Sequence, residues 1–251
     1  MQAILDHEIA HTIPIGWINF SIARTSPSGA WHRLERGEIP LDAKFFADFQ
    51  YDLRQPDLWE EFCLRNPDRA SVVGSDARLS RLPPINVEAL FWEMMRVSRS
   101  PDPYMYPALK TLKASGRFLM GALSNTVIFP VGHAYNEPTK DDPRTWFDVF
   151  ISSAHVGLRK PDPRIFQLAV KELDRFARDG ANEMDQSLGW SEGVHSNDVV
   201  FLDDIGTNVK AARALGMKTI KVELGKTLVA VRELERITGL ELVQNATMPK
   251  L

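Results

Sequence analysis

The chain has 251 residues, enough for one large domain or for a core with a smaller companion. Its formal net charge of −3 provides no basic field, which argues against binding to a nucleic-acid backbone or to an anionic membrane surface. A single cysteine, Cys63, excludes an internal disulfide and a cysteine-rich zinc site. The same charge favours a small-molecule partner. No apolar run is long enough to span a membrane and the first residues lack the pattern of a signal peptide, so we expect a cytoplasmic protein.

Residues 1–103 have the pattern of a helical subdomain. Aromatic and aliphatic residues recur at spacings of three and four, as in Phe46, Phe49 and Leu53. Prolines and glycines divide this half into four or five predicted helices, and no strand pattern is present.

Residues 104–251 predict an α/β core, because helical segments alternate with short apolar runs in the manner of βαβ units around a parallel sheet. The first predicted helix of this half ends at Gly116. The predicted helices cover residues 107–115, 163–175, 207–215 and 226–237. The predicted strands cover residues 117–123, 146–152, 199–202 and 218–222.

Polar residues follow the strands of this core, where parallel α/β sheets bind their ligands. Ser124 and Asn125 follow one apolar run, and Asp203 and Asp204 follow another. Adjacent carboxylates suit a hard cation such as Mg²⁺. Lys160 stands just before a helix that starts with proline and could neutralise phosphoryl charge. Taken singly, each feature is equally typical of a turn, a helix cap or a solvated charge.

The order and spacing of these residues resemble motifs two, three and four of the haloacid dehalogenase (HAD) superfamily. The match consists of Ser124-Asn125, then Lys160-Pro161-Asp162, then the run VVFL with Asp203 and Asp204. It extends over roughly residues 14–240 and is similar to the group that contains the N-terminal phosphatase domain of soluble epoxide hydrolases and HAD domains fused to acyl-CoA dehydrogenases. The resemblance implies a Rossmann-like core of residues 104–251 and a helical cap of residues 1–103.

The resemblance also implies roles for these residues in a magnesium-dependent phosphatase of a small phosphorylated metabolite or lipid. Ser124 and Asn125 would bind the phosphoryl oxygens, and Lys160 would stabilise an aspartyl phosphate. Asp203 and Asp204 would hold Mg²⁺. Two alternatives stay open: a haloacid dehalogenase, which has no need of the magnesium carboxylates, and a catalytically silent HAD fold that serves as a binding or regulatory module.

The first motif of the family, a strand ending in D-x-D that carries the nucleophile, has no good match. The nearest candidate is Asp6 with Glu8, but this segment continues at helical spacing, so we predict that residues 2–12 form the first cap helix. In the family, the strand of this motif lies at the centre of the sheet, between the strands that end at Ser124 and Asp203. Its absence would leave backbone groups of these two neighbours unpaired, at a cost of about 1–3 kcal/mol for each group. Either the chain starts after this motif, or its N-terminus supplies a substitute strand, or the remaining strands close up. We favour the first, in which this chain lacks the nucleophile and is inactive.

Two further groups of residues are candidates for a site. His7 and His11 are four residues apart on a predicted helix, but they lack a third partner for zinc. Four tryptophans of the first half could line a pocket, yet aromatic residues at helical spacing more often form a core. They are Trp17, Trp31, Trp59 and Trp92.

Overall fold

A computed structural model describes residues 2–70, 84–137, 142–180 and 192–243. The chain divides into two compact units. The first comprises Met1–Ser100 and Val127–His133, and the second comprises Pro101–Thr126 and Ala134–Leu251. This division lies close to the predicted boundary after residue 103, but it groups the segment Val127–His133 with the first unit.

The regular elements described in the first unit are all helices, in agreement with its sequence pattern, and they are more numerous than the four or five predicted. They are α1 (Gln2–Ala10), α2 (Trp17–Arg24), α3 (Ala30–Glu35), α4 (Ala43–Asp52), α5 (Pro56–Arg65), α6 (Pro67–Ala70) and α7 (Val87–Ser98). Helices α4 and α7 begin at side-chain caps, because Asp42 accepts from the Phe45 N–H and Asn86 from the Ala89 N–H.

An aromatic core holds the first unit together. Trp17, Trp31 and Trp59 are buried in it, which confirms that these tryptophans are core residues, and Trp92 packs against its edge. The Phe45 ring stacks on Phe49 with centroids 5.6 Å apart. Burying each such side chain contributes about 1.5–3 kcal/mol to stability.

The second unit combines short parallel strands with helices and confirms the predicted α/β class. Its elements are α8 (Met105–Ser115), β1 (Gly121–Ser124), β2 (Val149–Ser152), α9 (Ser153–Val156), α10 (Pro163–Asp179), β3 (Val200–Asp203), α11 (Gly206–Ala214), β4 (Lys218–Lys221) and α12 (Thr227–Thr238). Strand β1 pairs in parallel with β2, and β3 pairs in parallel with β4.

Two of the predicted strands begin later than expected. Strand β1 starts at Gly121 and not at residue 117, and β2 starts at Val149 and not at residue 146. The reason for the second is a 3₁₀ helix, Pro143–Trp146, which begins with proline and is capped by Asp142 accepting from the Arg144 N–H. Since Gly121 pairs with Val149, the late start of β2 also delays β1.

The described strands form two separate two-stranded sheets, β1–β2 and β3–β4. The N-terminal residues Gln2–Ala10 form a helix, as predicted, so within the described residues they supply no substitute strand. Strand β1 does not pair with β3 either. Two of the three arrangements considered for the central strand are therefore absent from the described structure.

Candidate functional site

Lys160 connects the carboxyl ends of β1 and β3. Its backbone N–H donates to Asn125 Oδ1 at 2.9 Å, and its carbonyl accepts from Asn125 Nδ2 at 3.1 Å. Asn125 directly follows β1, whereas the Lys160 ammonium reaches Asp203 at the end of β3. The two strand ends therefore meet at one residue.

The Lys160 ammonium and the Asp203 carboxylate form a buried ion pair. The Nζ–Oδ2 distance is 2.6 Å, and both residues are buried. The ammonium also lies 5.5 Å from the centroid of the Phe201 ring. The carboxylate and the aromatic ring together hold the ammonium group in a fixed position.

Asp203 accepts two further hydrogen bonds at its other oxygen. Oδ1 accepts from the Ile205 N–H at 2.8 Å and from Asn208 Nδ2 at 3.0 Å. The sequence interpretation did not assign Asn208 to the site, although it is buried in the first turn of α11. The available signal was a polar side chain five residues after Asp203, at the start of the helix that follows the strand.

Asp204 differs from its neighbour because it is exposed. Among the described residues, no group of three or more His, Cys, Asp or Glu side chains is placed to enclose a metal ion. The Asp204 carboxylate makes no hydrogen bond to a described residue, whereas the neighbouring Asp203 carboxylate already accepts from three donors. This set of oxygens suits Mg²⁺ held by one or two protein carboxylates, with water and phosphate completing its coordination.

Ser124 and the residues after it line the end of β1 with hydrogen-bonding groups. The half-buried Ser124 hydroxyl makes no hydrogen bond to any described residue. The Thr126 N–H donates to the buried Ser153 hydroxyl at 2.9 Å. Asn125, which was expected to bind phosphoryl oxygens, uses its side-chain amide to hold the Lys160 backbone.

The start of α10 fixes the loop that carries Lys160. Asp162 caps this helix by accepting from the Arg164 N–H at 2.9 Å, and Pro163 occupies its first position. The Arg164 guanidinium, hydrogen-bonded to the same carboxylate, lowers the pKa of Asp162 and keeps the cap ionised. The lysine therefore stands directly before a rigid helix of 17 residues.

Asp6, the weak candidate for a nucleophile, lies on a helix and follows no strand. It is exposed on α1 and accepts from the Gln2 amide at 2.7 Å. Glu8 is buried and accepts from the backbone N–H groups of Gly16 and Ile18, so it holds the start of α2. A D-x-D pair lies at the end of a strand, whereas both of these side chains belong to a helix.

Two other features of the described chain bear on function. The His7 and His11 rings lie 4.3 Å apart, but no third ligand joins them among the described residues. No helix in the described ranges combines the length and the apolar character needed to cross a membrane.

The sequence model of a family described as haloacid dehalogenase-like hydrolase matches residues 19–216. The chain therefore belongs to the HAD-like hydrolases. This match includes Ser124, Lys160 and the Asp203-Asp204 pair, and it confirms the resemblance found from the motifs.

Similar curated proteins come from the two groups expected from the sequence. The chain is 28% identical over 237 residues to Bifunctional epoxide hydrolase 2 of Sus scrofa and 28% identical over 235 residues to Acyl-CoA dehydrogenase family member 10 of Mus musculus. Both alignments cover 94% of this chain, but only 36% and 17% of those proteins. The chain thus spans about a third or less of the length of these relatives.

A similar solved structure is that of a predicted HAD-like family hydrolase from Porphyromonas gingivalis. It is 16% identical, with a TM-score of 0.48, over 94% of this chain and 91% of the other.

Proposed function

We propose that this chain provides the phosphoryl-binding part of a magnesium-dependent HAD phosphatase that acts on a small phosphorylated metabolite or lipid. The observation that carries the proposal is the buried Lys160–Asp203 pair, which lies where the ends of β1 and β3 meet. A net charge of −3 favours a small substrate over a nucleic acid.

Each side chain has a distinct task in this proposal. The Ser124 hydroxyl and the Asn125 N–H donate to phosphoryl oxygens, and the Lys160 ammonium neutralises their charge. The Asn125 side chain and Asp203 position that ammonium through the bonds described above. Asp204, beside Asp203, would hold Mg²⁺, which would neutralise charge on the phosphoryl group when bound. The helical first unit would select the substrate as a cap.

A silent binding module is the second candidate, and one observation favours it. Among the described residues, no carboxylate follows a strand at the position of a nucleophile, since Asp6 lies on α1. Without that group no aspartyl phosphate can form, so such a chain would act by binding alone. Dehalogenation has less support, because it has no use for the free Asp204 carboxylate.

Calorimetric titration with inorganic phosphate in the presence of Mg²⁺ tests the binding site. We expect saturable binding, weakened about tenfold by Ser124→Ala, which removes a hydrogen bond to a charged group. Asp204→Ala should reduce the Mg²⁺ dependence, whereas Asp179→Ala removes an exposed carboxylate at the end of α10 and should change nothing. No binding to the wild-type chain, or equal binding by the Asp204→Ala variant, would overturn the proposed site.

Hydrolysis of p-nitrophenyl phosphate with Mg²⁺ tests whether this chain contains a nucleophile. We expect no turnover by this chain alone, because the described residues present no strand-end nucleophile. Turnover that is lost in Asp204→Ala would show that a nucleophile is present and would exclude the silent module. Phosphate binding without turnover would show that the phosphate site is present and that the nucleophile is missing.

A further inference from the structure

A group of hydroxyl side chains lies beside the Ser124 hydroxyl, at the carboxyl ends of β1 and β2. Ser124 pairs in register with Ser152, so these two side chains lie on the same face of their sheet. Thr126, two residues after Ser124, hydrogen-bonds through its hydroxyl to that of Ser152 and therefore belongs to the same face. The proposed function uses the Ser124 hydroxyl but assigns no task to those of Thr126 and Ser152.

His155 extends this group of hydroxyls to the protein surface. Its Nδ1 atom lies 2.7 Å from Ser152 Oγ, which is a hydrogen-bond distance, and the residue is exposed. Its Nε2 atom makes no hydrogen bond to a described residue. The three side chains thus form one chain of hydrogen bonds, which runs from the His155 imidazole through the Ser152 hydroxyl to the Thr126 hydroxyl.

His155 is the titratable side chain of this hydrogen-bond chain, because the other residues of β2 and α9 are apolar or carry hydroxyls. Asp148, directly before β2, and Lys160, in the loop after α9, are each paired with an opposite charge. Arg159 lies next to Lys160 in the same loop. Within the described residues no carboxylate forms an ion pair with His155. Protonation of the imidazole therefore changes the charge at this end of the chain.

The direction of these hydrogen bonds depends on whether His155 Nδ1 carries a proton. Ser152 has one hydroxyl proton, so it donates to one of its two partners and accepts from the other. When Nδ1 has no proton, Ser152 donates to it and Thr126 donates to Ser152, which leaves only lone pairs on the Thr126 oxygen for a ligand. When Nδ1 is protonated, it donates to Ser152 and Ser152 donates to Thr126. The Thr126 proton is then free for another acceptor.

We propose that Thr126 is a further phosphoryl-binding residue and that His155 is the positioning residue that directs its hydroxyl proton to the bound anion. This inference rests on the proposed function, because the anion is the phosphoryl group assigned to Ser124, and it adds regulation by pH. A phosphoryl oxygen only accepts hydrogen bonds, so it selects the direction in which Thr126 donates. An imidazolium carries a proton on both nitrogens and enforces that direction. Anion binding therefore strengthens as the pH falls through the range in which imidazoles titrate, about pH 5 to 8.

Titration calorimetry with sulfate at constant Mg²⁺ tests the proposal. Sulfate resembles the phosphoryl group but keeps its double charge throughout this range, so a change of its affinity with pH belongs to the protein. We expect the wild type to bind sulfate about tenfold more tightly at the acidic end, because a hydrogen bond to a charged group is gained. Thr126→Val and His155→Ala should lose this dependence, and Thr126→Ser, which keeps the hydroxyl, should retain it. The control is His11→Ala, which removes an exposed imidazole of the first unit and should also retain it.

The outcomes separate this inference from the proposed function, with near-ultraviolet circular dichroism confirming that each variant is folded. If the wild type binds neither phosphate nor sulfate at any pH, the proposed phosphoryl site fails and this inference fails with it. Phosphate binding by the wild type, with the same pH dependence of sulfate binding in His155→Ala, would overturn this inference alone. A dependence that survives in Thr126→Val would mean that the imidazolium acts by its charge alone, and it would overturn the role of Thr126.

Discussion

The position of Lys160 depends on bonds at both of its ends. The Asn125 amide binds its backbone in two places, and Asp203 binds its ammonium. Asp203 in turn accepts from Ile205 and Asn208, so a single network connects the end of β1, the loop before α10 and the start of α11. Networks of this kind are stable when every member is satisfied and costly when one is removed.

Lys160→Met should reveal that cost. The substitution retains the length of the side chain but leaves the buried Asp203 carboxylate without its counter-charge, and breaking a buried pair on one side costs about 3–5 kcal/mol. We expect a loss near the lower end of that range, because two hydrogen bonds to Asp203 persist. Urea unfolding followed by circular dichroism measures it.

Lys226→Met is the matched control, because the Lys226–Glu223 pair of the same unit is largely exposed. Exposed pairs contribute little to stability, so this variant should lose much less than Lys160→Met. Similar losses in both variants would contradict the assignment of a structural role to the Lys160–Asp203 pair.

Glu8 predicts a pH dependence of stability. Burial raises the pKa of its carboxyl above the ordinary value of 4.5, although the N–H groups of Gly16 and Ile18 oppose the shift. The folded chain then binds this proton more tightly than the unfolded chain does. The contribution to stability is complete below the unfolded pKa and is lost as the pH rises through the folded pKa.

Glu8→Gln removes this titration. The unfolding free energy of the wild type, relative to that of the variant, should therefore fall as the pH increases from about 4 toward neutrality. Urea unfolding of both proteins across this range measures the difference. A difference that is constant, or that grows with pH, would show that the carboxylate is not penalised by its burial.

At the scale of elements, Gly116 ends α8 and begins the connection to β1. Its φ of 65° lies in the left-handed region, and its N–H donates to the Lys113 carbonyl at 3.2 Å. The sequence predicted this helix end correctly, because glycine is the residue that adopts such a conformation without a steric cost.

Gly116→Ala should destabilise the chain by about 1 kcal/mol. Apart from its neighbours in the chain, no described residue has an atom within 4 Å of a methyl group at this position, so the cost is conformational and not steric. Gly180, which ends α10 at a φ of −89°, is the control, and Gly180→Ala should cost nothing or stabilise slightly. Thermal unfolding of both variants measures the contrast, and equal shifts would contradict the explanation.

The ends of the strands were easier to predict than their starts. The runs before Ser124 and Asp203 end within one residue of prediction, because a polar residue after apolar ones marks the edge of a buried sheet. The start of β1 depends on Val149 of another strand, which no local pattern records. Likewise, Lys160 was found from its motif, whereas Asn208 joins the site only through a bond to Asp203 that the fold creates.

At the scale of the whole molecule, the two units differ in how completely their interiors are filled. The first unit buries large aromatic rings in one cluster, in which Trp17, Phe49 and Phe91 have no measurable exposure. The second unit divides its apolar residues between two clusters, and the strand residues Leu123, Val200 and Leu202 remain only partly buried. A cavity of about 980 Å³ between the two sheets explains this difference, since strand side chains that border it lack neighbours on one side.

Ala169→Leu tests whether this space is empty in solution. In a close-packed core, an enlarged side chain costs about 1–3 kcal/mol through strain. At a cavity, the added carbons instead gain contacts worth about 0.8 kcal/mol for each methylene equivalent. Because Ala169 lines the cavity, we expect the leucine to stabilise the chain by roughly 1–2 kcal/mol.

The matched control is Lys171→Leu, which introduces the same side chain on the exposed side of α10 and should stay within about 0.5 kcal/mol of the wild type. Urea unfolding measures both variants. Destabilisation by Ala169→Leu would mean that the interior of the second unit is already filled. Stabilisation confined to Ala169→Leu would instead show that the cavity persists in solution, because only an unfilled interior gains free energy from a larger side chain.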